Sequence, residues 1–433
     1  MSPSRVKIAT SIFLLLAISP YTSAQSSTPT TTEPAAPTSQ NEPNSASVTL
    51  LDLPLCNPSV AWLPVADPSP IPVSSVQVVP EKITWKKWID ANGIQPHFSL
   101  KTEGSAAVGS SISPERADGR NLVEAALDLD PGKRLGWRGA LLHASLHSYA
   151  GDDGSAGLTG DAQGYSNISA QARTMLYELW LQQTIAGGKL AFQAGKMDAN
   201  NSFDVIENGT YFLHSSMGHS PTLYDMPTYP LPRLGVVVSI APTKYFYVRN
   251  GTFLNSNKGA IIFSEGGIRW RMPGLGSPGH FTYGYWVRTP TDVGLSGELI
   301  SSVSGHYLVA EQILWRPAGA GEDRGLGAFF QYGNATPDAS PFQQHFGGGF
   351  QWTGLAAERA GDVLGLGVSH VVLSPLARMD AQHQEECAFE GFYSIRVRSW
   401  VSFAPDVQYI DHPSASPLRP RATVATIRMT LSY

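Results

Sequence analysis

The last residues of the chain alternate between two faces without interruption. One face carries Thr423, Ala425, Ile427, Met429, Leu431 and Tyr433, and the other carries Val424, Thr426, Arg428, Thr430 and Ser432. Because successive side chains of a β-strand point to opposite sides, this pattern predicts a strand with one apolar and one polar face. A half-buried strand of a soluble protein would alternate in the same way. The terminal aromatic Tyr433 favours a transmembrane barrel, in which aromatics lie at the membrane interfaces.

The same alternation recurs along the chain from residue 95 onward. The apolar faces carry Ala125, Leu127, Leu129, Leu142, Ala144, Met175, Tyr177, Leu179, Leu181, Phe281, Tyr283, Tyr285, Val287, Tyr393, Ile395, Val397 and Val401. The opposite faces carry Glu124, Asp128, Asp130, His143, Ser145, His147, Thr174, Glu178, Gln182, Thr282, Trp286, Arg288, Ser394, Arg396, Arg398 and Ser402. The alternation is irregular over residues 307–316, where Glu311 falls among apolar residues, and a bulge or a different register would explain this.

A closed barrel fits the length of the alternating region better than a sandwich does. Residues 95–433 are long for one sandwich, whereas a barrel has no open edges and takes them as one domain. At about 20 residues per strand and connection, the region holds about 16 strands, or about 18. We therefore predict an all-β, transmembrane antiparallel barrel over residues 81–433. Trp85, Trp88 and Ile89 predict a short helix before it, ending near Asn92 and Gly93.

The start of the chain predicts export. Arg5 and Lys7 precede the apolar residues 8–18, and small residues at 22–24 offer a cleavage site, so residues 1–24 read as a signal peptide. Cys56 lacks the preceding small residues of a lipoprotein site. Residues 25–80 are rich in Pro, Ser and Thr and predict a disordered, flexible arm. Cys56 and Cys387 could form a disulfide in an oxidising compartment or remain two thiols.

Composition and motifs exclude several classes of function. The net charge of −5 argues against nucleic acid as a partner. Neither cysteine stands in zinc-ligand spacing, so we predict no metal and no cofactor. His143 and Ser145 share a strand face, but no G-x-S-x-G elbow accompanies them. Nothing in the sequence shows that Glu124 and Glu178 flank a sugar, as a glycosidase would require, and we predict that the chain is not an enzyme.

Four stretches resemble the carbohydrate-selective OprB-type porins of Gram-negative outer membranes. They are residues 176–184, the segment Gly195-Lys196-Met197-Asp198-Ala199-Asn200 followed by Phe203, Gly209 and residues 212–216, the proline-containing residues 227–235, and residues 403–410. Their order and spacing carry the resemblance. Two features depart from the family's pattern: residues 102–120 read as a loop rich in Ser, Ala and Gly, and Tyr433 stands where many relatives end on Phe.

The resemblance implies a passive outer-membrane channel for small carbohydrates. The alternatives are a general or other-solute porin and an exported soluble β-rich protein that binds carbohydrate. The resemblance and the barrel also imply contact with outer-membrane lipid and with the barrel-assembly machinery, the latter through the C-terminal strand and Tyr433. The sequence leaves open whether the protein is a monomer or a trimer.

Side chains predicted to face the lumen are candidates for contact with sugar. Sugar hydroxyls need hydrogen-bonding partners and sugar rings an aromatic surface, while opposite charges set the field across a pore. The candidates are Glu124, Asp128, Glu178, Asp198, Asn200, Arg233, Trp286, Arg288, Arg396, Arg398 and Arg428. Each could instead be a solvated wall or rim residue away from the constriction. The segment with Asp198, Asn200, Asn201 and Phe203 either folds inward or forms a simple turn, because Asn tolerates left-handed backbone.

Overall fold

Sixteen antiparallel strands close on themselves into one barrel, as the sequence predicts. Each barrel strand pairs with the barrel strands before and after it in the chain, and the first pairs with the last. Glu103 of the first strand lies opposite Arg428 of the last. Closure pairs the N–H and C=O groups that an open edge would expose. The lower of the two predicted strand numbers is confirmed.

The computed structural model describes most of the barrel region. The described residues are 85–108, 117–151, 157–254, 259–272, 277–289, 292–293, 296–297, 299–300, 303–317, 324–337, 340–378, 383–419 and 421–433. The predicted signal peptide (1–24), the predicted arm (25–80) and Cys56 lie outside these ranges. The predicted alternatives for the pairing of Cys56 with Cys387 therefore stay open.

The elements follow one another in a simple order. The barrel strands are β1 Ile94–Ala107, β2 Ala117–Leu129, β3 Ala140–Gly151, β4 Arg173–Ile185, β5 Leu190–Met197, β6 Arg233–Thr243, β7 Phe246–Leu254, β8 Ala260–Arg271, β9 Pro278–Thr289, β12 Val303–Trp315, β13 Gly325–Ala335, β14 Phe342–Thr353, β15 Val363–Leu373, β16 Glu385–Arg398, β17 Val401–Asp411 and β18 Arg421–Ser432. Two further strands, β10 Asp292–Val293 and β11 Leu299–Ile300, form a separate ribbon. The helices are α1 Trp85–Ala91 and α2 Pro131–Leu135, and 3₁₀ turns span Ala199–Asn201, Glu207–Gly209, Ser215–Met217, Ala357–Arg359 and Pro413–Ala415.

The predicted helix before the barrel is confirmed as α1. The amide of Asn92 donates to the carbonyl of Trp88 at 3.1 Å, which closes the last turn. Gly93 follows with a φ of +71°, in the left-handed region that ends many helices. Among the described residues, no helix is long and apolar enough to cross a membrane.

The closing strand β18 has the two faces that its alternation predicts. Ile427 points outward with 60% of its side chain exposed, while the neighbouring inward residues Thr426 and Arg428 are buried. The outward faces of other strands are likewise apolar and exposed, as at Leu176, Leu234, Phe330, Phe350, Leu366 and Val407. Apolar side chains on the outside with polar ones inside are typical of barrels in lipid.

Aromatic side chains gather at the barrel end with the short turns. Trp315 and Trp352 pack there with ring centroids 5.7 Å apart, and Trp400 lies in the turn between β16 and β17. Tyr433 is exposed at the same end, and its amide donates to the carbonyl of Phe98 at 3.2 Å. Rings at this level are typical of a membrane interface.

The predicted faces of β4 are wrong in its first half. Ser145 pairs with Glu178 whereas Leu146 pairs with Leu176, so Tyr177 is the extra residue of a β-bulge. Tyr177 is buried on the lumen side beside Glu178, and Met175 also packs inside. The predicted outward orientation holds only after the bulge, at Leu179 and Leu181. One inserted residue reverses the faces of everything before it, because the side-chain period is two.

One further expectation needs correction, and another is located more exactly. Residues 102–120 are not one loop, because residues 102–107 belong to β1 and residues 117–120 to β2, where small residues pair in regular register. The bulge predicted for residues 307–316 lies near the end of β12, because the pairing with β13 shifts between Ile313 and Trp315, whereas β12 pairs with β9 without a shift through Glu311. Tyr307 and Val309 face inward together with Glu311 and are fully buried. They are apolar because a loop packs on them inside the barrel, as described next.

Candidate functional site

Two connections fold into the barrel and occupy part of its lumen. The first inner loop (residues 157–172) buries Leu158 and Tyr165 in one cluster with Ile410 and Val424, which face inward from β17 and β18. The second inner loop (residues 198–232) buries Phe212 and Met217 against inward residues of the opposite wall, Val309, Phe329 and Phe392. Both loops therefore lie inside the ring of strands and narrow the passage through it.

Glycines on β13 let the second inner loop approach the wall closely. A Cβ on Gly327 would lie 2.0 Å from Oδ1 of Asn208, and a Cβ on Gly333 would lie 2.2 Å from the hydroxyl oxygens of both Ser220 and Thr222. Both distances are far shorter than a van der Waals contact. The loop can take this position only because these wall residues have no side chain.

The carboxylate of Glu311 on β12 binds the backbone of the second inner loop. It accepts the amide of Glu207 at 2.8 Å and the amide of Asn208 at 2.6 Å, one on each oxygen. The side chain of Asn208 donates to it as well, at 2.8 Å. Nε2 of His280 lies 3.2 Å from it on the neighbouring strand. Glu311 is 3% exposed, so its charge is covered by the loop that it binds.

Glu390 and Glu265 bind the same loop at other points. Glu390 on β16 accepts the amides of Leu213 at 2.5 Å and His214 at 3.1 Å. Glu265 on β8 accepts the amide of Asp204 at 3.1 Å. Each bond satisfies a backbone donor that no regular secondary structure would pair. The second inner loop is thus attached to three different strands.

The first inner loop is attached in the same way on β16. Glu386 accepts the amide of Ala162 at 2.7 Å and that of Gln163 at 3.1 Å. It also accepts the amide of Ser414, from the connection between β17 and β18, at 2.5 Å. Glu386, Glu390, Glu311, Gly327 and Gly333 together are called the loop-bearing wall below.

The predicted residues Glu178, Asp198 and Asn200 lie together where the second inner loop begins. Glu178 accepts the amide of Asp198 at 2.8 Å and the side-chain amide of Asn201 at 3.2 Å. Asp198 caps the following 3₁₀ turn by accepting the amide of Asn200 at 2.8 Å. The side chain of Asn200 donates to the carbonyl of Phe203 at 3.1 Å. The segment folds inward, and these three side chains bind the loop's own backbone.

On β1 and β2, polar side chains pair with one another. Nζ of Lys101 on β1 lies 3.0 Å from the predicted residue Glu124 on β2. The hydroxyl of Ser99 donates to the same carboxylate, and Nε2 of His147 lies 3.8 Å from it. Lys101 stays partly exposed, at 13% of its side chain. It therefore presents a positive charge to the lumen.

A second charged group lies beside the first. Glu103 on β1 accepts Nε of the predicted residue Arg428 at 2.6 Å and Nη1 of Arg120 at 3.3 Å. Ser166 of the first inner loop donates to Glu103 at 2.7 Å, and Arg428 donates to the side chain of Asn167 at 2.5 Å. Glu103, Arg120, Arg428, Lys101 and Glu124 together are called the charged wall below. The first inner loop covers Glu103 and Arg120, whose side chains are at most 2% exposed, whereas Arg428 keeps 10% of its side chain exposed.

Asp128 lies near the short-turn end of the charged side. It pairs with Nδ1 of His143 at 2.7 Å and with Nε2 of His97 at 3.1 Å. Its side chain is 15% exposed, so it remains a candidate for contact with solute.

Aromatic rings between the charged wall and the second inner loop pack against one another. The rings of His147 and Tyr177 stack with centroids 3.7 Å apart, and those of Tyr149 and Tyr229 meet edge to face at 5.2 Å. The hydroxyl of Tyr229 donates to the carbonyl of Ile168 at 2.7 Å, which joins the two inner loops. Because Tyr149 and Tyr177 are buried, these rings serve as packing rather than as an open surface.

Burial changes the protonation of two side chains in the second inner loop. It lowers the pKa of His214 to about 4, although Asp161 opposes the shift. It raises the pKa of Asp204 well above the usual range, although the amide of Ser220 donates to this carboxylate. A neutral imidazole is therefore the favoured form of His214 while the second inner loop is seated, that is, packed against the inner wall of the barrel.

Four other predicted residues lie apart from these groups. Trp286 faces inward but is fully buried within a cluster that includes Phe263 and Tyr307, and Arg288 pairs with Asp225 of the second inner loop. Arg396 and Arg398 lie at the short-turn end; the amide of Arg396 donates to Asp362 at 2.9 Å, and Arg398 is exposed.

A fifth, Arg233, opens β6 opposite Met197, where the second inner loop ends. The pore-lining assignments of these residues stay predictions. Among the described residues, no group of three or more His, Cys, Asp or Glu side chains is arranged to hold a metal ion.

Sequence reasoning missed most of the residues that bind the inner loops. Extending the polar face of β16 upstream from Ser394 leads to Glu390 and Glu386, so the alternation contained a signal for both. Glu311 and Glu265 lie on strands whose inward faces are partly apolar, where alternation gives a misleading answer. Within the loops, inward folding was predicted only for the segment with Asp198, Asn200, Asn201 and Phe203, as one of two alternatives, and the structure confirms it.

Comparisons with known proteins agree with this architecture. Residues 116–433 match the family described as carbohydrate-selective porin, OprB family. The high-pH structure of Pseudomonas putida OprB superposes with a TM-score of 0.73 at 18% identity, covering 81% of this chain and 96% of that one. Its low-pH structure gives a TM-score of 0.56 at 20% identity, covering 80% and 95%.

A curated relative also matches by sequence. It is the porin AaxA of Chlamydia muridarum (strain MoPn / Nigg), 23% identical over 292 residues. The match covers 64% of this chain and 59% of that protein, so the chain spans well under two thirds of its relative.

Proposed function

Because the chain belongs to the carbohydrate-selective OprB porin family, we propose that it is an outer-membrane channel for the passive, sugar-preferring diffusion of small carbohydrates. A family of porins with a barrel fold implies a channel in the outer membrane and not an enzyme. The proposal goes further in naming the solutes and their route.

One observation carries the proposal: a closed barrel holds two loops in its lumen and leaves partly exposed charged side chains on one wall. Lys101 and Arg428 offer donors, and Glu124 and Asp128 offer acceptors, to the hydroxyls of a passing sugar. Paired charges of both signs across a short distance favour neutral polar solutes over ions of either sign. Each contact is a single exchangeable hydrogen bond, so a sugar can leave as readily as it enters.

Placement in the membrane follows from the same geometry. The apolar outer face would contact lipid. The barrel-assembly machinery would recognise the C-terminal strand, which ends at Tyr433. Export through a signal peptide at residues 1–24 belongs to the same proposal.

Swelling of liposomes that contain the purified protein tests the sugar preference. The solutes are a monosaccharide, a disaccharide and uncharged amino acids matched to the monosaccharide in size. We expect the monosaccharide to permeate faster than the matched amino acids and faster than the disaccharide. Equal rates at equal size would make the protein a general porin. Release from membranes by alkali without detergent would overturn the barrel itself.

A further inference from the structure

Five glutamates on the inner wall share an arrangement that a sugar contact does not need. Each is at most 4% exposed, and each accepts at least one backbone amide from an inner loop; they are Glu178, Glu265, Glu311, Glu386 and Glu390. They come from β4, β8, β12 and β16, on several sides of the barrel. A glutamate that served to attract ions would need to face the water of the passage, and these are covered.

Three of the five bind two successive amides of the chain at once. Glu311 binds residues 207 and 208, Glu386 binds residues 162 and 163, and Glu390 binds residues 213 and 214. A carboxyl group has two acceptor oxygens at the right separation, and each of the two oxygens accepts one amide of the pair. The bonds fix the backbone of each loop at defined points against the wall.

Resting on the proposed channel function, we propose that these buried glutamates are positioning residues that set the size limit of the passage by holding the two inner loops inside the barrel. Glu178 changes role with this proposal, from a sugar contact to an anchor for the start of the second inner loop. The exposed charges of the charged wall then act on solutes, whereas the anchors act only through the loops.

The double variant Glu311→Gln with Glu390→Gln tests the proposal. Glutamine keeps the size of glutamate but turns one acceptor into a donor, which then opposes a backbone N–H. Leaving a buried loop amide without its acceptor shifts the equilibrium between the loop held on the wall and the released loop by roughly a factor of ten or more at each site. We expect a higher size limit for neutral polyethylene glycols entering the pore and a higher single-channel conductance, with little change in ion selectivity.

A charge-preserving variant separates an anchor from a lumen charge. Glu311→Asp keeps the negative charge but shortens the side chain, so both loop amides move out of reach. An anchor predicts that the size limit rises in this variant as well. If Glu311→Asp behaved like the wild type while Glu311→Gln shifted the reversal potential, Glu311 would be a selectivity charge and the proposal would fail.

Glu385→Gln is the matched control, because Glu385 is exposed at the outer rim and pairs only with His370 among the contacts described. It should leave the size limit unchanged. Heat-modifiable migration in gels shows whether each variant forms a folded barrel before its pore is measured.

A covalent tether supplies a second test that does not depend on how well the variants fold. A Cβ on Gly327 would lie 2.7 Å from Cγ of Asn208, so cysteines at both positions can bridge the loop to β13. The pair is introduced into Glu311→Gln in a background with Cys56→Ser and Cys387→Ser. Oxidation should return the wild-type size limit, and reduction should remove it again. A size limit indifferent to the tether would overturn the proposal.

These measurements use neutral polymers and ions, so they do not depend on a preference for sugar. If liposome swelling showed no such preference, the proposed solute class would be wrong while the anchors could still be confirmed. If the anchors failed, the sugar preference would remain to be judged by swelling alone.

Discussion

The two walls of the barrel use the same residue types for different purposes. On the loop-bearing wall, Glu311 and Glu390 accept backbone amides and are covered by the second inner loop. On the charged wall, Glu103 and Glu124 pair with arginine and lysine side chains, and part of that charge reaches the lumen. A buried carboxylate therefore binds loop backbone on one wall and charged side chains on the other.

The largest effect should follow from breaking the charged wall at Arg428. Arg428→Gln removes one of the two guanidinium groups that pair with Glu103, which is fully buried. Leaving a buried charge with one partner fewer costs about 3 kcal/mol of unfolding free energy. We expect a lower melting temperature in detergent and a reversal potential shifted toward cations. Arg134→Gln, at an exposed arginine of α2, is the control and should change neither measurement.

Adding a side chain at Gly333 of the loop-bearing wall should have the next largest effect. In Gly333→Val, the new side chain would meet the hydroxyls of Ser220 and Thr222, so the second inner loop cannot stay where it is. Overpacking of this kind costs about 1–3 kcal/mol. We expect single-channel conductance to rise while the reversal potential stays near the wild-type value. Gly104→Val, where no atom lies within 4 Å of the added Cβ, should leave both unchanged.

Acid should loosen the second inner loop by a smaller amount. Because burial lowers the pKa of His214 from 6.5 to about 4, the released loop binds a proton in this window that the seated loop does not. The contribution of His214 therefore makes the second inner loop bind the wall less tightly as the pH falls from 6.5 to about 4. Asp204 acts in the opposite direction, since its raised pKa weakens seating as the pH rises above its ordinary 3.8.

The pH dependence of conductance measures this balance. We expect the change in conductance from pH 6.5 to about pH 4 to be more positive in the wild type than in His214→Asn, because the variant lacks the proton uptake of His214. The same curve in both proteins would mean that other groups, among them the anchoring glutamates, account for the whole dependence.

The smallest effect on either wall should come from the end of the chain. Tyr433 points outward at the short-turn end, away from the lumen. Tyr433→Ser should therefore reduce the amount of protein assembled in the outer membrane while channels that do assemble conduct as the wild type does. Normal assembly of this variant would contradict the role assigned to the terminal aromatic.

The sequence predicted the barrel well because its signal is local and repeated. Strict alternation in β18 and an aromatic at its end need no knowledge of distant contacts, and the strand number followed from length. The bulge at Tyr177 was not predictable in this way, because it depends on how β4 pairs with β3. The small residues of β1 were taken for a loop because they carry no hydrophobic contrast, although they pair regularly with β18.

The site was less predictable because it depends on where the loops go. Glu124 and Arg428 were identified from strand faces and lie on β2 and β18, the two strands that flank β1 once the barrel closes. Trp286 was identified by the same rule, yet it is buried, since its neighbours on the inner face form an apolar cluster. Lys101, Glu103 and Glu311 were missed because their significance comes from partners far away in the sequence.

The most direct test compares Glu311→Gln/Glu390→Gln with Arg428→Gln in planar bilayers. It asks whether the loop-bearing wall sets the size limit of the pore and the charged wall sets its ion selectivity. Each protein yields a conductance, a polymer size limit and a reversal potential under one set of conditions. We expect the glutamate variant to gain conductance and size limit at an unchanged reversal potential, and the arginine variant to change its reversal potential at an unchanged size limit. A glutamate variant with the wild-type size limit and a shifted reversal potential would contradict this division.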